Sequence, residues 1–381
     1  MRLGVPRERR PGEHRVALTP TAAASLIARD VEVVVEAAAG ELAGHLDGAY
    51  TGVGAQVVSS ERAAWDADLV VRVGPPMPAE LDRLPEGGAI LGFLTPFTSA
   101  DVVGRLRDRQ VTALAFEALP RVSAAQGMDA LSSQATAAGY AAVLEAADAS
   151  PKFFPMLTTA AGTIPPAKVL VLGAGVAGLQ AIATARRLGA VVSAYDVRPE
   201  AAEQIESLGA RAVRLEVEAQ TEGVYARALE EDEQSRQHEL LAPYVADSDV
   251  VITTAAVPGR SAPILITHAM VHRMHAGAVI VDAASESGGN CEVSYAGERR
   301  VHGNGVIISG PTELPSRVAA DASQMYARNV LALVQRVIVD GELIIDLSDE
   351  IVSGACVTHR GDVRHELARK LLGLSASEME A

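Results

Sequence analysis

Three glycines and one aspartate near the middle of the chain have the spacing of a phosphate-binding turn. Gly173, Gly175 and Gly178 form G-x-G-x-x-G directly after the apolar run KVLVL and directly before an apolar helical segment. Such glycines permit a tight turn, close approach of the backbone to a pyrophosphate and close helix packing, while the helix N-terminus offers amide donors. Asp196 ends the next predicted strand, about 20 residues on, where a carboxylate binds ribose hydroxyls. The pattern predicts a dinucleotide site, although a tight strand-to-helix turn without a ligand would show the same glycines.

Asp196 also bears on which dinucleotide would bind. A carboxylate at this point repels a 2'-phosphate and therefore favours NAD over NADP. Arg198, two residues later, weakens this inference because an arginine there can pair with a phosphate.

A second polar group lies in PRVSAAQGMDALSSQ, residues 120–134. Arg121, Gln126 and Asp129 stand among small residues in a segment that does not need them for packing. An arginine, a carboxamide and a carboxylate can together bind phosphate, hydroxyl and amide groups. A solvated polar loop is the alternative.

Residues for proton transfer or metal binding are not evident. The segments expected to face the interdomain cleft, VVRVGPPMPAEL and LGFLTPFTSA, contain no lysine or histidine. Several late histidines lie on helical or loop stretches, where surface or core roles are expected: His238, His268, His272 and His275. Cys291 and Cys356 have no metal-like spacing and are expected to be inert thiols. We therefore predict no metal site.

Composition narrows the class of partner. The net charge of −15 over 381 residues disfavours a nucleic acid or an anionic bilayer, since both would repel the chain. No uncharged apolar run approaches the roughly 18 residues of a membrane span, so no direct membrane insertion is expected. Two distant cysteines fit a reducing cytoplasm.

Two series of apolar strands alternate with helices, which predicts an α/β protein with two Rossmann-like, doubly wound parallel-sheet domains separated by a cleft. Thr19 and Pro20 predict the start of the first helix. The N-terminal domain is predicted to be discontinuous, 1–135 plus 335–381. The dinucleotide-binding domain is predicted at 136–334, with linking helices at both ends. An unusually long connection near 221–243, with an acidic run at 230–233, is typical of a solvated loop or a lid.

Several longer motifs together resemble one family over essentially the whole chain. They are MRLGVPRERRPGEHRVALTP, VLGAGVAGLQAI, YDVR, VDAASESGGN, PSRVAADAS and IVSGACVT. These are similar to the NAD(H)-binding component of proton-translocating nicotinamide nucleotide transhydrogenases and to the related alanine dehydrogenases.

The two relatives differ in their chemistry. Alanine dehydrogenases use a lysine and a histidine at positions that match Gly74 and Thr95 here, so the proton-handling pair is missing. Arg15, which matches their arginine for the substrate carboxylate, remains and is expected to serve structure. The resemblance therefore implies direct hydride transfer between two nicotinamides, which requires orientation of the rings and no acid or base.

The resemblance also implies which residues contact the nucleotide. Arg121, Gln126, Asp129, Ser132 and the mobile-loop Tyr225 would orient the nicotinamide. The NAD(H) site as a whole would comprise these together with Gly173, Gly175, Val176, Ala177, Gly178, Asp196, Val197, Arg198 and Ala256. Val224 replaces a usual glycine, which puts a backbone contact in doubt, whereas AASESGGN keeps Glu286 and the glycine pair.

The implied assembly extends beyond this chain. The resemblance implies a homodimer, peripheral on the cytoplasmic face of the cell membrane, with NADP(H) on a partner subunit and a membrane-embedded proton channel on another. The chain would be one subunit of a Si-specific/Re-specific transhydrogenase, inactive in the full reaction without its partners. An alanine-dehydrogenase-like enzyme and a nucleotide sensor without turnover are the alternatives.

Overall fold

The chain divides into two compact units. Unit 1 comprises Met1–Gln134 and Pro315–Ala381, and unit 2 comprises Ala135–Leu314. A computed structural model describes residues 1–215, 221–222, 225–226, 231–256 and 261–374, with the backbone alone at 221–222, 225–226 and 231.

Most elements are short strands and helices in alternation. The strands are β1 Arg2–Val5, β2 Glu32–Glu36, β3 Gln56–Val58, β4 Leu69–Val71, β5 Ala89–Gly92, β6 Thr112–Ala115, β7 Leu157–Thr159, β8 Gly162–Ile164, β9 Lys168–Leu172, β10 Val191–Tyr195, β11 Arg211–Ala212, β12 Thr221–Glu222, β13 Tyr225–Ala226, β14 Val250–Thr253, β15 Val279–Asp282, β16 Glu298–Val301, β17 Ile307–Gly310, β18 Ile338–Val339, β19 Glu342–Leu343, β20 Cys356–His359 and β21 Asp362–Val363. The α-helices are α1 Pro20–Ile27, α2 Asp47–Gly52, α3 Glu61–Trp65, α4 Pro78–Leu81, α5 Ala100–Asp108, α6 Ala130–Ala149, α7 Val176–Arg187, α8 Ala201–Ser207, α9 Glu231–Ala246, α10 His268–Arg273, α11 Ala319–Val337, α12 Glu350–Ala355 and α13 Glu366–Leu371.

Each unit is built on one mainly parallel sheet. The strand order is β21-β20-β6-β5-β4-β1-β2-β3 in unit 1 and β11-β10-β9-β14-β15-β17-β16 in unit 2. Numbered within each sheet, the six parallel strands have the order 3-2-1-4-5-6, and the antiparallel strands β20, β21 and β16 are added at an edge. This is the doubly wound order of Rossmann-like domains, so the predicted fold class is confirmed.

Apolar residues on both faces explain why the strands are parallel and buried. Along β9, Val169 and Val171 join the core on one face of the sheet, whereas Leu170 and Leu172 join the core on the other face. A sheet buried on both faces needs such continuous apolar strands. The first helix also starts as predicted, because Thr19 accepts a hydrogen bond from the backbone of Ala22 and Pro20 is the first helical residue.

The boundary between the units differs from the predicted one at its second crossing. Unit 2 ends at Leu314, whereas the sequence suggested residue 334. The reason is helix α11, whose buried face, including Tyr326, Val330 and Leu333, packs into the core of unit 1. The long connection near 221–243 is also shorter than expected, since α9 begins at Glu231 and buries Leu241 and Val245.

No helix among the described residues has the length and apolar character needed to cross a membrane.

Candidate functional site

The glycine-rich turn lies between β9 and α7, where the strand order of unit 2 reverses. Gly173 has φ of 98°, a left-handed value that favours glycine. A Cβ at Gly178 would overlap the carbonyl oxygen of Gly173 and lie 2.9 Å from Thr254 Oγ1. Gly175 is the N-cap of α7 and is exposed, and a Cβ there would meet nothing within 4 Å. The turn is therefore packed tightly behind and open in front.

This arrangement suits a phosphate. Gly175 has no side chain that could cap α7, so the first-turn amides remain available as donors at the positive end of the helix dipole. Val176 and Ala177 form that first turn, and Val176 is exposed. In open α/β sheets, ligands bind at such switch points beyond the carboxyl ends of the strands.

Asp196 lies directly after β10 and is engaged by its neighbours. Its Oδ2 accepts from the backbone of Ala174 at 2.7 Å, and its Oδ1 accepts from Nε of Arg198 at 2.9 Å. The Arg198 guanidinium also donates to Ala174 O at 3.3 Å. Arg198 is thus paired with Asp196, which removes the main reason to expect it to bind a 2'-phosphate. Val197, between them, packs against the core.

A buried carboxylate organises the opposite side of the switch point. Asp282, which is fully buried at the end of β15, accepts from Thr253 Oγ1 at 2.9 Å, from the backbone of Asn290 at 2.9 Å and from Ser294 Oγ. Asn290, also fully buried, accepts from Ala255 N at 3.0 Å and donates to Ala255 O at 2.8 Å. Both peptide groups of Ala255 are thereby fixed beside the turn.

Asp282 and Asn290 both lie within VDAASESGGN, where no role was predicted for either residue. The signal that could have found them is an aspartate at the end of a buried strand followed by GGN. Glu286, in the same motif, accepts from the backbone of Glu313 at 3.1 Å.

The polar group of 120–134 forms a 3-10 helix, Ser123–Met128, followed by α6. Ala125 and Met128 are buried in the core of unit 1, whereas Arg121 and Gln126 are exposed. Two apolar anchors therefore present the carboxamide of Gln126 to solvent from a fixed backbone.

Asp129 has a structural task that its residue type did not reveal. Its Oδ1 accepts from the backbone of Ser132 at 2.9 Å, and its Oδ2 accepts from the Ser132 hydroxyl at 2.6 Å. It therefore caps α6 at its N-terminus. Each carboxylate oxygen keeps a second lone pair, so the cap leaves room for a further donor.

A chain of buried side chains supports this segment from behind. Arg15 donates to Gln134 Oε1 at 2.9 Å, and Gln134 donates to Ser133 Oγ at 3.2 Å. Ser133 donates to Asn329 Oδ1 at 2.7 Å, and Asn329 donates to Gly127 O at 2.9 Å. Asn329, on α11, thus holds the backbone next to Gln126.

Glu13 completes the support at the other end. It pairs with both Nε and Nη2 of Arg15 and accepts from Ser316 Oγ at 2.6 Å. Burial acts to raise the pKa of Glu13, but the hydrogen bonds and charge of Arg15 outweigh it and hold the pKa below its ordinary value. Arg15 is accordingly engaged in the structural role expected of it.

Replacing Asn329 with alanine is expected to loosen the 3-10 helix. The change leaves Gly127 O and Ser133 Oγ without this partner, which costs about 1–3 kcal/mol of unfolding free energy. Amides 125–129 should exchange with solvent faster in hydrogen-exchange measurements. Gln324→Ala, an exposed amide on the same helix, is the matched control. Unchanged exchange in Asn329→Ala would show that the anchor is not needed.

The remaining predicted residues are placed as follows. Tyr225 lies in β13 with its side chain outside the described residues, as does the whole of Val224. Ala256 is exposed shortly after β14. Gly74 is buried, and Thr95 donates its backbone N–H to Glu117 Oε1 at 2.8 Å.

The two cysteines are both buried and unbridged. Burial raises the pKa of Cys291 to about 12 and that of Cys356 to about 11. Both thiols are therefore protonated at neutral pH, as expected of inert cysteines.

Comparison with known proteins places this architecture among dehydrogenase relatives. The family models described as "Alanine dehydrogenase/PNT, N-terminal domain" and "Alanine dehydrogenase/PNT, C-terminal domain" match residues 4–138 and 142–366. The chain is 46% identical over 377 residues to the first of the parts that form NAD(P) transhydrogenase subunit alpha in Rhodospirillum rubrum, covering 96% of this chain and 98% of that one. It is 30% identical to an alanine dehydrogenase of Halomonas elongata, covering 99% and 98%.

Solved structures agree. The transhydrogenase of Sinorhizobium meliloti superposes with a TM-score of 0.87 at 40% identity, covering 95% of this chain and 100% of that one. An L-alanine dehydrogenase superposes with a TM-score of 0.80 at 26% identity, covering 98% and 99%.

Proposed function

This chain belongs to the alanine dehydrogenase/PNT family, and from that membership we propose that it is the NAD(H)-binding component of a nicotinamide nucleotide transhydrogenase. A hydride passes directly from NADH bound here to NADP+ bound on a partner subunit. The C4–H bond of the dihydronicotinamide breaks, a C–H bond forms at C4 of the acceptor ring, and both electrons move with the hydrogen. No proton is released at the reacting carbons.

The residues of unit 2 suit an NAD(H) ligand. The pyrophosphate would accept from the first-turn amides of α7, where Gly175 leaves open space. The adenosine ribose would hydrogen-bond Asp196, whose pairing with Arg198 engages the cation that could otherwise bind a 2'-phosphate at this position. Val197 and Ala256 would line the nucleotide.

Orientation of the nicotinamide would fall to the polar segment of unit 1. Gln126 would hydrogen-bond ribose hydroxyls, Asp129 would accept from the carboxamide NH2 in addition to capping α6, and Arg121 would bind a phosphate or anchor Asp129. Ser132 and Tyr225 would add further contacts. Because hydride transfer between carbons needs alignment at near-contact distance, rigid support for these groups is the contribution expected of the protein.

The observation that carries the proposal is the pair of residues at positions 74 and 95. A glycine and a threonine stand where the related alanine dehydrogenases have a lysine and a histidine, so pyruvate and ammonium would find no proton donor or acceptor there. Arg15, the third residue of that chemistry, is already bonded to Glu13 and Gln134.

A pair of assays tests this proposal. The purified chain should bind NADH in a calorimetric titration and should form no alanine from pyruvate, ammonium and NADH. Sustained alanine formation by this chain alone would contradict the proposal and favour an alanine-dehydrogenase-like enzyme.

The proposal extends to the assembly. NADP(H) would be bound by a partner subunit, and a membrane-embedded partner would couple hydride transfer to proton translocation, so that this chain is peripheral on the cytoplasmic face. A homodimer is supported by large apolar side chains exposed along one stretch of unit 2: Tyr140, Leu144, Phe153, Met156 and Ile164.

Replacing Asp196 with asparagine is expected to relax cofactor choice. The change removes the charge that holds Arg198 and repels a 2'-phosphate, so the preference for NADH over NADPH should fall about tenfold, roughly 1.4 kcal/mol. Titration with both nucleotides measures the ratio. Asp247→Asn, which removes an exposed partner of Lys168, is the matched control and should leave the ratio unchanged.

A further inference from the structure

Three histidines of unit 2 converge although the sequence suggested separate surface or core roles for two of them. The ring centroids of His268 and His272 lie 4.5 Å apart, those of His272 and His302 lie 4.8 Å apart, and those of His268 and His302 lie 5.2 Å apart. Their nitrogen ligand atoms all lie within 4.8 Å of one another. We propose that these three imidazoles bind one divalent transition-metal ion of the zinc type.

The fold brings the three side chains together in two ways. His268 and His272 are four residues apart on α10, which places them on the same face of the helix. His302 follows β16, in the short connection that leads into β17. A site built from a helix and a neighbouring strand connection explains why sequence spacing alone did not reveal it.

Asn304 prepares His302 as a ligand. Its Nδ2 donates to Val271 O at 2.9 Å and to Met274 O at 3.2 Å, so its Oδ1 must face His302. That oxygen lies 3.0 Å from Nδ1 of His302, which therefore carries the proton. The lone pair is then on Nε2, and a hydrogen-bonded second nitrogen is the usual support of a metal-binding histidine.

The donor set and its exposure suit zinc or a similar ion. Neutral imidazoles bind zinc at about 2.0–2.1 Å, and three of them leave a fourth tetrahedral position for water. Small side-chain rotations would bring the nitrogens from their present separation to a common ion. His268 and His272 are exposed and His302 is half-buried, so an ion can enter from solvent. The carboxylate of Glu292, which accepts from the backbone of His268 at 2.6 Å, adds negative charge nearby.

The cluster is separate from the proposed nucleotide site of the same unit. His272 and His302 lie in segments that lead into the amino ends of β15 and β17, whereas Gly173 and Asp196 follow the carboxyl ends of β9 and β10. Strands of four residues span about 13 Å. A bound ion would therefore join α10 to the connection between β16 and β17 without touching the nucleotide, and the inference does not depend on the proposed function.

Zinc titration of the full chain, stripped of metal with a chelator, tests the site. We expect one Zn²⁺ per chain by competition with a zinc-responsive dye, and Co²⁺ should give visible absorption typical of a site with nitrogen ligands. His268→Gln, His272→Gln and His302→Gln should each weaken binding by about tenfold or more. His275→Gln, a nearby exposed histidine outside the cluster, should leave the affinity unchanged.

Two results would overturn the inference. One is the absence of saturable Zn²⁺ binding at micromolar concentrations, and the other is equal affinity in the wild-type chain and His272→Gln. Circular dichroism checks that each variant folds. If His302→Gln does not, the exposed His268→Gln and His272→Gln variants carry the comparison.

Discussion

Replacing Gly178 with alanine is expected to abolish NADH binding and to destabilise unit 2. The added Cβ would overlap Gly173 O and lie 2.8 Å from Gly173 C, so strand β9 and helix α7 must move apart. Overpacking of backbone against backbone costs about 3 kcal/mol of unfolding free energy. Urea denaturation and NADH titration measure the two effects.

Gly175→Ala is the matched comparison, because only the ligand should notice it. Gly175 has φ of −73°, which alanine adopts without strain, and its Cβ would meet nothing within 4 Å. We expect a change in unfolding free energy below about 0.5 kcal/mol. NADH affinity should nevertheless fall about tenfold or more, since the methyl group lies where the pyrophosphate must approach. Full NADH affinity in Gly175→Ala would contradict the proposed phosphate seat.

Replacing Gln126 with alanine is expected to slow hydride transfer without unfolding the protein. Gln126 is exposed, and its backbone is positioned by buried Ala125 and Met128 and by the contact of Asn329 with Gly127 O. Loss of the carboxamide removes a contact that aligns the donor ring, and misalignment of about 1 Å costs roughly a hundredfold in rate. Single-turnover measurements with the NADP-binding partner domain follow this step.

The control is Ser123→Ala, another exposed polar residue of the same 3-10 helix. It should retain the wild-type rate, and thermal unfolding should be the same in both variants. If Gln126→Ala transfers hydride as fast as Ser123→Ala does, the orienting role assigned to this carboxamide is wrong.

What the sequence could predict follows from local pattern. Apolar strands alternating with helices predicted two doubly wound units, and Gly173, Gly175 and Gly178 predicted the turn because each glycine answers a steric need set by its near neighbours. Thr19 and Pro20 predicted a helix start for the same reason. These features depend on residues only a few positions apart.

What the sequence could not predict depends on contacts between distant segments. Asp196 was expected to await a ribose, yet its near neighbour Arg198 occupies part of it, and Asp129 proved to be a helix cap as well as a candidate ligand. Asn329 reaches Gly127 across about 200 positions of sequence, which no local pattern encodes. Helix α9 was mistaken for loop because its first turns are strongly polar and it contains Pro243.

The central claim is that hydride moves directly between two nucleotides on this protein and its partner. The measurement that tests it most directly uses NADH carrying deuterium at C4, in each prochiral form, mixed in a stopped-flow instrument with this chain, a transhydrogenase NADP-binding domain and NADP+. We predict rapid formation of NADPH that carries the deuterium from one of the two forms, with no exchange into water and no reaction without the partner domain. NADPH labelled from solvent, or equal turnover without the partner, would contradict direct transfer.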